Sequence, residues 1–169
     1  MTPFEERNTK LAERMIKNLN RRNMEAFYCP TGEETVKKVS ELIADGSTVT
    51  WGGTATVRDL GIPEMLKSRG TLEVLDRDLA ETPEEKEAMY LRAFTADVYL
   101  TSANAISEDG VIVNIDGNGN RVAANMGAEK SHLCHRTQQS GPNRRSCIDQ
   151  SEKHGITHQC TTFRHQHTL

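Results

Sequence analysis

Between residues 3 and 126, short β-branched and aromatic segments alternate with amphipathic helical ones, and this restricts the fold more than any other feature of the chain. From Pro3 to about Arg22, the apolar positions Phe4, Leu11, Met15, Ile16 and Leu19 recur at helical spacing, with Pro3 suited to a first turn. "MEAFYC" reads as a short strand. Thr31 followed by Glu34 matches a capping box, opening a helix whose Val36, Val39, Leu42 and Ile43 share one face. Asp45-Gly46 ends it, and "STVTW" reads as a buried strand. Two short helical pieces, "TVRDLG" and "PEMLKSRG", precede a strand at "LEVLD". Thr82-Pro83-Glu84-Glu85 is a second capping signature, for a helix with Ala88, Leu91, Ala93 and Phe94 on its apolar face. "DVYLTS" is the next strand. Glu108-Asp109-Gly110 turns between "NAIS" and "VIVNID" as a hairpin or tight bend, and "GNGNR" leads into a helix start at "VAA". Strands alternating with helices predict an α/β fold with a mostly parallel sheet and helices on both faces.

Composition divides the chain near residue 126. All six His (His132, His135, His154, His158, His165, His167) lie beyond residue 130, as do Cys134, Cys147 and Cys160; only Cys29 precedes them. Residues 127–169 contain no Val, Trp or Tyr. The expected organisation is therefore an α/β domain over residues 1–126 and a separate tail over 127–169. No apolar run approaches the ~18 residues of a membrane span, and the N-terminus lacks the apolar core of a signal peptide. A cytoplasmic, reducing setting is the expectation, in which the cysteines are not a disulfide framework. A net charge of −3 gives no reason to expect a nucleic-acid partner.

In α/β sheets, ligands bind where strands end and turns lead into helices. Three segments have that position. In "WGGTATVRDLG", Gly52 and Gly53 after Trp51 let a ligand approach the backbone, and Thr54 and Thr56 supply hydroxyls at a helix N-terminus. The segment lacks both the Walker Gly-Lys-Ser/Thr and the dinucleotide G-x-G-x-x-G, and it also suits a plain strand-to-helix turn. In "LTSANAISEDG", Thr101, Ser102 and Asn104 follow a strand, and Glu108 with Asp109 suits either a general base or nucleophile or simple turn chemistry. In "VNIDGNGNR", Asn114, Asp116, Gly117 and Gly119 lead to Arg121, which can clamp a carboxylate or phosphate or stand solvated in a glycine-rich loop.

These segments carry a resemblance. "NLNRRNMEAFYCPTGEETVKKVSELI", "STVTWGGTATVRDLG" and "DRDLAETPEEKEAMYLRAFTADVYLTSANAISEDGVIVNIDGNGNRVAA" together resemble the LUD domain of lactate-utilisation proteins, from about residue 10 to residue 124. The resemblance implies a fold similar to that of ribose-5-phosphate isomerase, CoA transferases and formyltetrahydrofolate cyclo-ligases. It also implies a link to L-lactate oxidation beside iron–sulfur partner subunits, with a small anionic metabolite or phosphorylated cofactor bound at the glycine-rich sheet edge. It names no reaction and no specific cofactor. Where isomerases of this fold carry a catalytic Asp and a Lys, this chain has Asn104 and Ile115, which argues against isomerase chemistry. Glu108 falls where CoA transferases carry a Glu nucleophile in a Ser-Glu-Asn-Gly turn; here the turn reads Ser107-Glu108-Asp109-Gly110. An enzyme using Glu108 and a non-catalytic subunit of an iron–sulfur complex therefore stand as alternatives.

The resemblance stops where the composition changes. Family members continue with a Gly-Pro-Lys-Lys-Val strand, a helix and a Ser-Pro-Ile-Asn-Ala-Gln-Arg segment. Read one nucleotide out of frame, codons for HGITHQCTTFRHQHTL also encode Thr-Ala-Ser-Pro-Ile-Asn-Ala-Gln-Arg-Phe-Asp-Ile-Asn-Thr-Pro. Codons for GAEKSHLCHRTQQSG also encode Gly-Pro-Lys-Lys-Val-Ile, one undetermined residue, then Val-Ile-Gly-Arg-Asn-Lys-Val-Val. Both family phrases return in order, so the tail reads as a frameshift product beginning between about Ala124 and Gly127. The His and Cys residues are then by-products of the shifted codons rather than a metal site. Their spacing agrees, with no C-x-x-C and with Cys134 directly beside His135. A domain truncated in this way is expected to expose a sheet edge, to be marginally stable, to associate with its own copies, and to carry a tail without persistent structure.

Overall fold

Thr2 opens the first helix by accepting a hydrogen bond from the Glu5 amide while the Glu5 carboxylate accepts one from the Thr2 amide, with Pro3 in the first turn. In a computed structural model, which describes residues 2–117, 119–136, 140–141 and 160–166, this helix (α1) runs Pro3–Asn20. It is followed by β1 (Met24–Cys29), α2 (Gly32–Leu42), β2 (Thr48–Trp51), α3 (Ala55–Asp59), α4 (Ile62–Ser68) and β3 (Glu73–Leu75). A single 3-10 turn at Arg77–Leu79 leads to α5 (Pro83–Ala93), β4 (Val98–Thr101), the hairpin β5 (Ala105–Ser107) and β6 (Ile112–Val113), α6 (Asn120–Gly127) and β7 (Lys130–Arg136). Two further strands are β8 (Ser140–Gly141) and β9 (Cys160–Gln166). The elements read from the sequence up to residue 126 are thus present in order.

The main sheet has the order β1-β9-β7-β4-β2-β3, and its β7-β4-β2-β3 portion is parallel throughout. Successive residues of β4 face opposite sides, as a pleated strand requires. Val98 and Leu100 join Val49, Val39, Val57, Ile62 and Leu66 in a core beneath α2, α3 and α4. Tyr99 faces the other way, against Ala93 of α5 and Ala124 of α6. On a third side, Met15 and Leu19 of α1 pack on Ala26, Ile106 and Leu133. No helix among the described residues is long and apolar enough to cross a membrane.

Two features differ from the sequence reading. Along α5, Ala93 is buried and Phe94 half-buried, but Ala88 and Leu91 face solvent while half-buried Met89 and exposed Tyr90 line a cavity. The physical reason is that α5 roofs a cavity instead of a close-packed core, so its inner side takes larger, partly wetted side chains. Secondly, residues 130–136 and 160–166 form strands where the sequence predicts no persistent structure. β7 lies against the free edge of β4, and ladder pairing uses backbone groups that every such residue carries. The remainder of the tail, with Cys147, His154, His158 and His167, lies outside the described residues.

The connections create an opening. From β2 the chain passes through α3 and α4 on one face, whereas from β4 it leads to α6 on the opposite face. β2 and β4 are neighbours, so their outgoing turns diverge at the carboxyl ends of the strands, which is where open α/β sheets hold ligands.

Candidate functional site

At that point the first glycine of the β2 turn extends the sheet: the Gly52 amide donates to the Leu100 carbonyl at 2.9 Å. The missing side chains matter at both glycines. A Cβ on Gly52 would stand 2.7 Å from the Tyr99 hydroxyl, and one on Gly53 would stand 2.7 Å from an Arg77 guanidinium nitrogen. The glycines therefore make room for a phenol and a cation from this protein, a use beyond the ligand approach expected from the sequence. Thr54 donates to the Ser102 hydroxyl at 2.8 Å and ties the two diverging turns together. Thr56 and Thr101 are buried supports of the same turns, with the Thr101 hydroxyl donating to the Ser102 carbonyl.

Beside these turns lies a cavity of about 400 Å³. Thr50, Trp51 and Tyr99 contribute from the sheet, Gly53 and Arg77 from the turns after β2 and β3, and Met89, Tyr90 and Phe94 from α5 and its end. The segment from Ile115 to Gly117 and residues Asn120, Arg121 and Ala124 complete it. Of the residues singled out in the sequence, Trp51, Gly53, Asp116, Gly117 and Arg121 line the cavity. Gly52, Thr54, Thr101, Ser102 and Asn104 stand behind it as structural supports. Gly119, at a left-handed φ of 75°, is the residue preceding α6, and Asn114 lies outside the lining.

Asn104 has a definite task here. Its side-chain oxygen accepts from the Ile115 amide at 2.8 Å and from Arg121 Nη2 at 2.9 Å, while that same Nη2 donates to the Ile115 carbonyl at 2.6 Å. The carboxamide thus aims a guanidinium, which matches its lack of acid–base capacity. Arg121 Nε is buried without a hydrogen-bond partner among the described residues. Asp116 accepts from the Val122 amide at 3.1 Å, which places a carboxylate at the start of α6, where the helix dipole favours it.

Arg77 was not singled out in the sequence, although it follows a strand end as the other candidates do. The turn that carries it is well anchored. Asp76 is buried, caps that turn through the Asp78 amide at 2.9 Å, and pairs with Lys67 at 2.6 Å. The Lys67 ammonium also lies 5.8 Å over the Trp51 ring. Arg77 itself makes only a 3.8 Å approach to Asp78 and no side-chain hydrogen bond among the described residues. Burial pushes the Tyr99 hydroxyl above its usual range, opposed by the nearby charges of Arg77 and Arg121 and assisted by Asp116 and Tyr90. The phenol therefore stays protonated at neutral pH and is able to donate.

Glu108 is not among the cavity-lining residues. Its carboxylate pairs with Arg14 of α1 at 2.6 Å and its carbonyl accepts from Asn18 at 2.7 Å. Asp109 accepts from the Ser107 hydroxyl within the same turn. This turn staples the β5–β6 hairpin to α1. Among the described residues, no group of three or more His, Cys, Asp or Glu side chains is placed to hold a metal ion.

No curated protein and no solved structure matches the chain. A family model does: the LUD domain matches residues 12–135, from the middle of α1 into β7 and across every element that builds the cavity. That span is well over half of the 169 residues, and the chain belongs to the LUD domain family, which is associated with lactate utilisation.

Proposed function

We propose that the chain is a binding domain for a small organic anion, held in the cavity between the Gly52-Gly53 turn, α5 and the loop before α6, and that it serves lactate utilisation in that capacity. The observation that carries this reading is the charge balance of the lining. Among the described residues two guanidiniums and one carboxylate border the cavity, and that carboxylate, Asp116, already accepts from the α6 backbone. Arg77 keeps its donors without a hydrogen-bonded partner among the described residues. Guanidiniums in such surroundings recognise carboxylate or phosphate through paired N–H donors. Thermal-shift measurements against carboxylates, sugar phosphates and CoA esters test the reading. Stabilisation by anions that is lost in Arg77→Gln supports it, and no stabilisation by any anion rejects it.

We further propose that residues from about 125 onward are an out-of-frame reading of a longer LUD domain. Support comes from β7. Ser131, His132, Cys134 and His135 are all buried, and the shifted frame encodes Val, Ile, Val and Ile at these four positions. A parallel strand covered on both faces normally reads as an apolar run, which the shifted phrase does and KSHLCHR does not. The coding DNA decides the matter. The frameshift reading requires its shifted frame to spell the two family phrases without a stop; any other codon choice in the tail rejects it.

A further inference from the structure

Resting on the anion-binding reading above, the geometry points to Asn104 as the residue that sets the charge class of the ligand: its neutral carboxamide positions Arg121 without cancelling the guanidinium charge, and the cavity therefore takes an anion. Asn104 follows β4 and is half-buried behind the lining, while Arg121 stands in the first turn of α6 and lines the cavity. The Asn104 backbone is fixed, its amide donating to the Val113 carbonyl at 3.0 Å. Its side-chain oxygen accepts from the Ile115 amide at 2.8 Å and from Arg121 Nη2 at 2.9 Å. The other acceptor of Nη2 is neutral too, the Ile115 carbonyl at 2.6 Å. Nε and Nη1 make no hydrogen bond among the described residues, and the guanidinium enters no ion pair there. Arg121 is anchored by amide and carbonyl dipoles rather than by a carboxylate.

Stability alone does not call for an amide at position 104. Both groups that meet the side-chain oxygen are donors, so the position requires only an acceptor, and aspartate has the same shape and supplies one. A carboxylate at this distance from the guanidinium would form a charge-assisted hydrogen bond, stronger than the neutral one, and would hold the loop before α6 at least as firmly. What it would remove is the positive charge that Arg121 presents to the cavity. Asp116 also borders the cavity, but it is present with either residue at position 104 and accepts from the Val122 amide. The choice between amide and carboxylate at residue 104 therefore changes the charge of the site while leaving its hydrogen-bond pattern in place.

The test compares the full chain with Asn104→Asp and Asn104→Ala, by thermal unfolding and by calorimetric titration with L-lactate, inorganic phosphate and acetyl-CoA. For whichever of these anions the native chain binds, Asn104→Asp should weaken binding by about tenfold or more while its thermal midpoint stays equal or rises. Asn104→Ala keeps the charge but leaves Arg121 and the Ile115 amide without their acceptor, so its midpoint should fall and its affinity should lie between those of the other two chains. Affinity and stability then rank the three chains in different orders, which a purely structural role for Asn104 does not produce. Affinity in Asn104→Asp within about twofold of the native value, or a midpoint that falls together with affinity, overturns this inference and leaves the anion-binding reading intact. Failure of all three anions to bind a native chain shown to be folded by its thermal transition overturns both.

Discussion

The Arg77 guanidinium fills the space that a side chain on residue 53 would need, with one of its nitrogens 2.7 Å from the position of the absent Cβ. Gly53→Ala must therefore displace Arg77. The neighbour that moves is the far end of a flexible side chain, so the change in stability should stay within about 0.5–1 kcal/mol. Anion affinity should fall together with that of Arg77→Gln. Parallel titrations of the two variants check this, and an unchanged affinity in Gly53→Ala would remove Arg77 from the site.

Gly110 is a different case. It sits at φ 82°, and a Cβ there would come within 3.0 Å of the Asn18 backbone in α1. Backbone cannot step aside as a side chain can, and the left-handed conformation disfavours alanine as well. Gly110→Ala should lower stability by about 1–3 kcal/mol, read as a lower urea midpoint at unchanged slope.

The α5 roof depends on its N-terminus. Along the helix only Ala93 is buried, so packing contributes little, while Thr82 and Glu85 satisfy each other's backbone amides. Thr82→Ala should cost about 1 kcal/mol of helix stability. Amide exchange in residues 83–93 should accelerate while that of β2 and β4 stays slow. Uniform acceleration across the chain would contradict the helix's local independence.

Acid sensitivity should arise in part at Glu73. Hydrogen bonds from Arg92 first and from Thr48 second hold its carboxyl below the usual glutamate range. Because the folded value is depressed, the unfolded chain binds the proton more readily. The contribution is therefore present above the unfolded pKa of about 4.3 and disappears as pH falls through the lower folded value. Glu73→Gln should flatten the acid limb of a stability–pH curve and leave the neutral region little changed, since both partners are exposed.

His132 tests the frame reading within the protein as it stands. It is fully buried opposite Leu100 in the centre of the sheet. His132→Ile introduces the residue that the shifted frame encodes and should raise the thermal midpoint, by several degrees if burial of an apolar side chain contributes about 1–2 kcal/mol more than the imidazole. A lowered midpoint would show that the imidazole is integrated into this core.

Much of this architecture could be read from local signals. Thr31 and Thr82 cap the helices they precede, Pro3 stands in the first turn of α1, "MEAFYC" is β1 to the residue, and the Glu108-Asp109-Gly110 turn joins an antiparallel hairpin. The candidate site was legible in part. Strand ends pointed to Trp51, Gly53, Asp116, Gly117 and Arg121, but Arg77, Tyr99 and Tyr90 were not among them. Arg77 lay in an Asp-Arg-Asp stretch with the look of a solvated turn, Tyr99 in a strand with the look of pure core, and Tyr90 off the apolar face assigned to α5.

By itself the sequence determined the order of elements, the family and the change of character near residue 126, because capping, periodicity and phrase-level resemblance act over a few neighbouring residues. Tertiary structure alone decided which residues share the cavity. Residues 53, 77, 99 and 121 meet because the outgoing chains of β2 and β4 diverge to opposite faces of one parallel sheet. It also separated Glu108 from them, since that carboxylate is engaged by Arg14 of α1. Crossover direction and long-range pairing involve residues dozens of positions apart, and no local pattern records them.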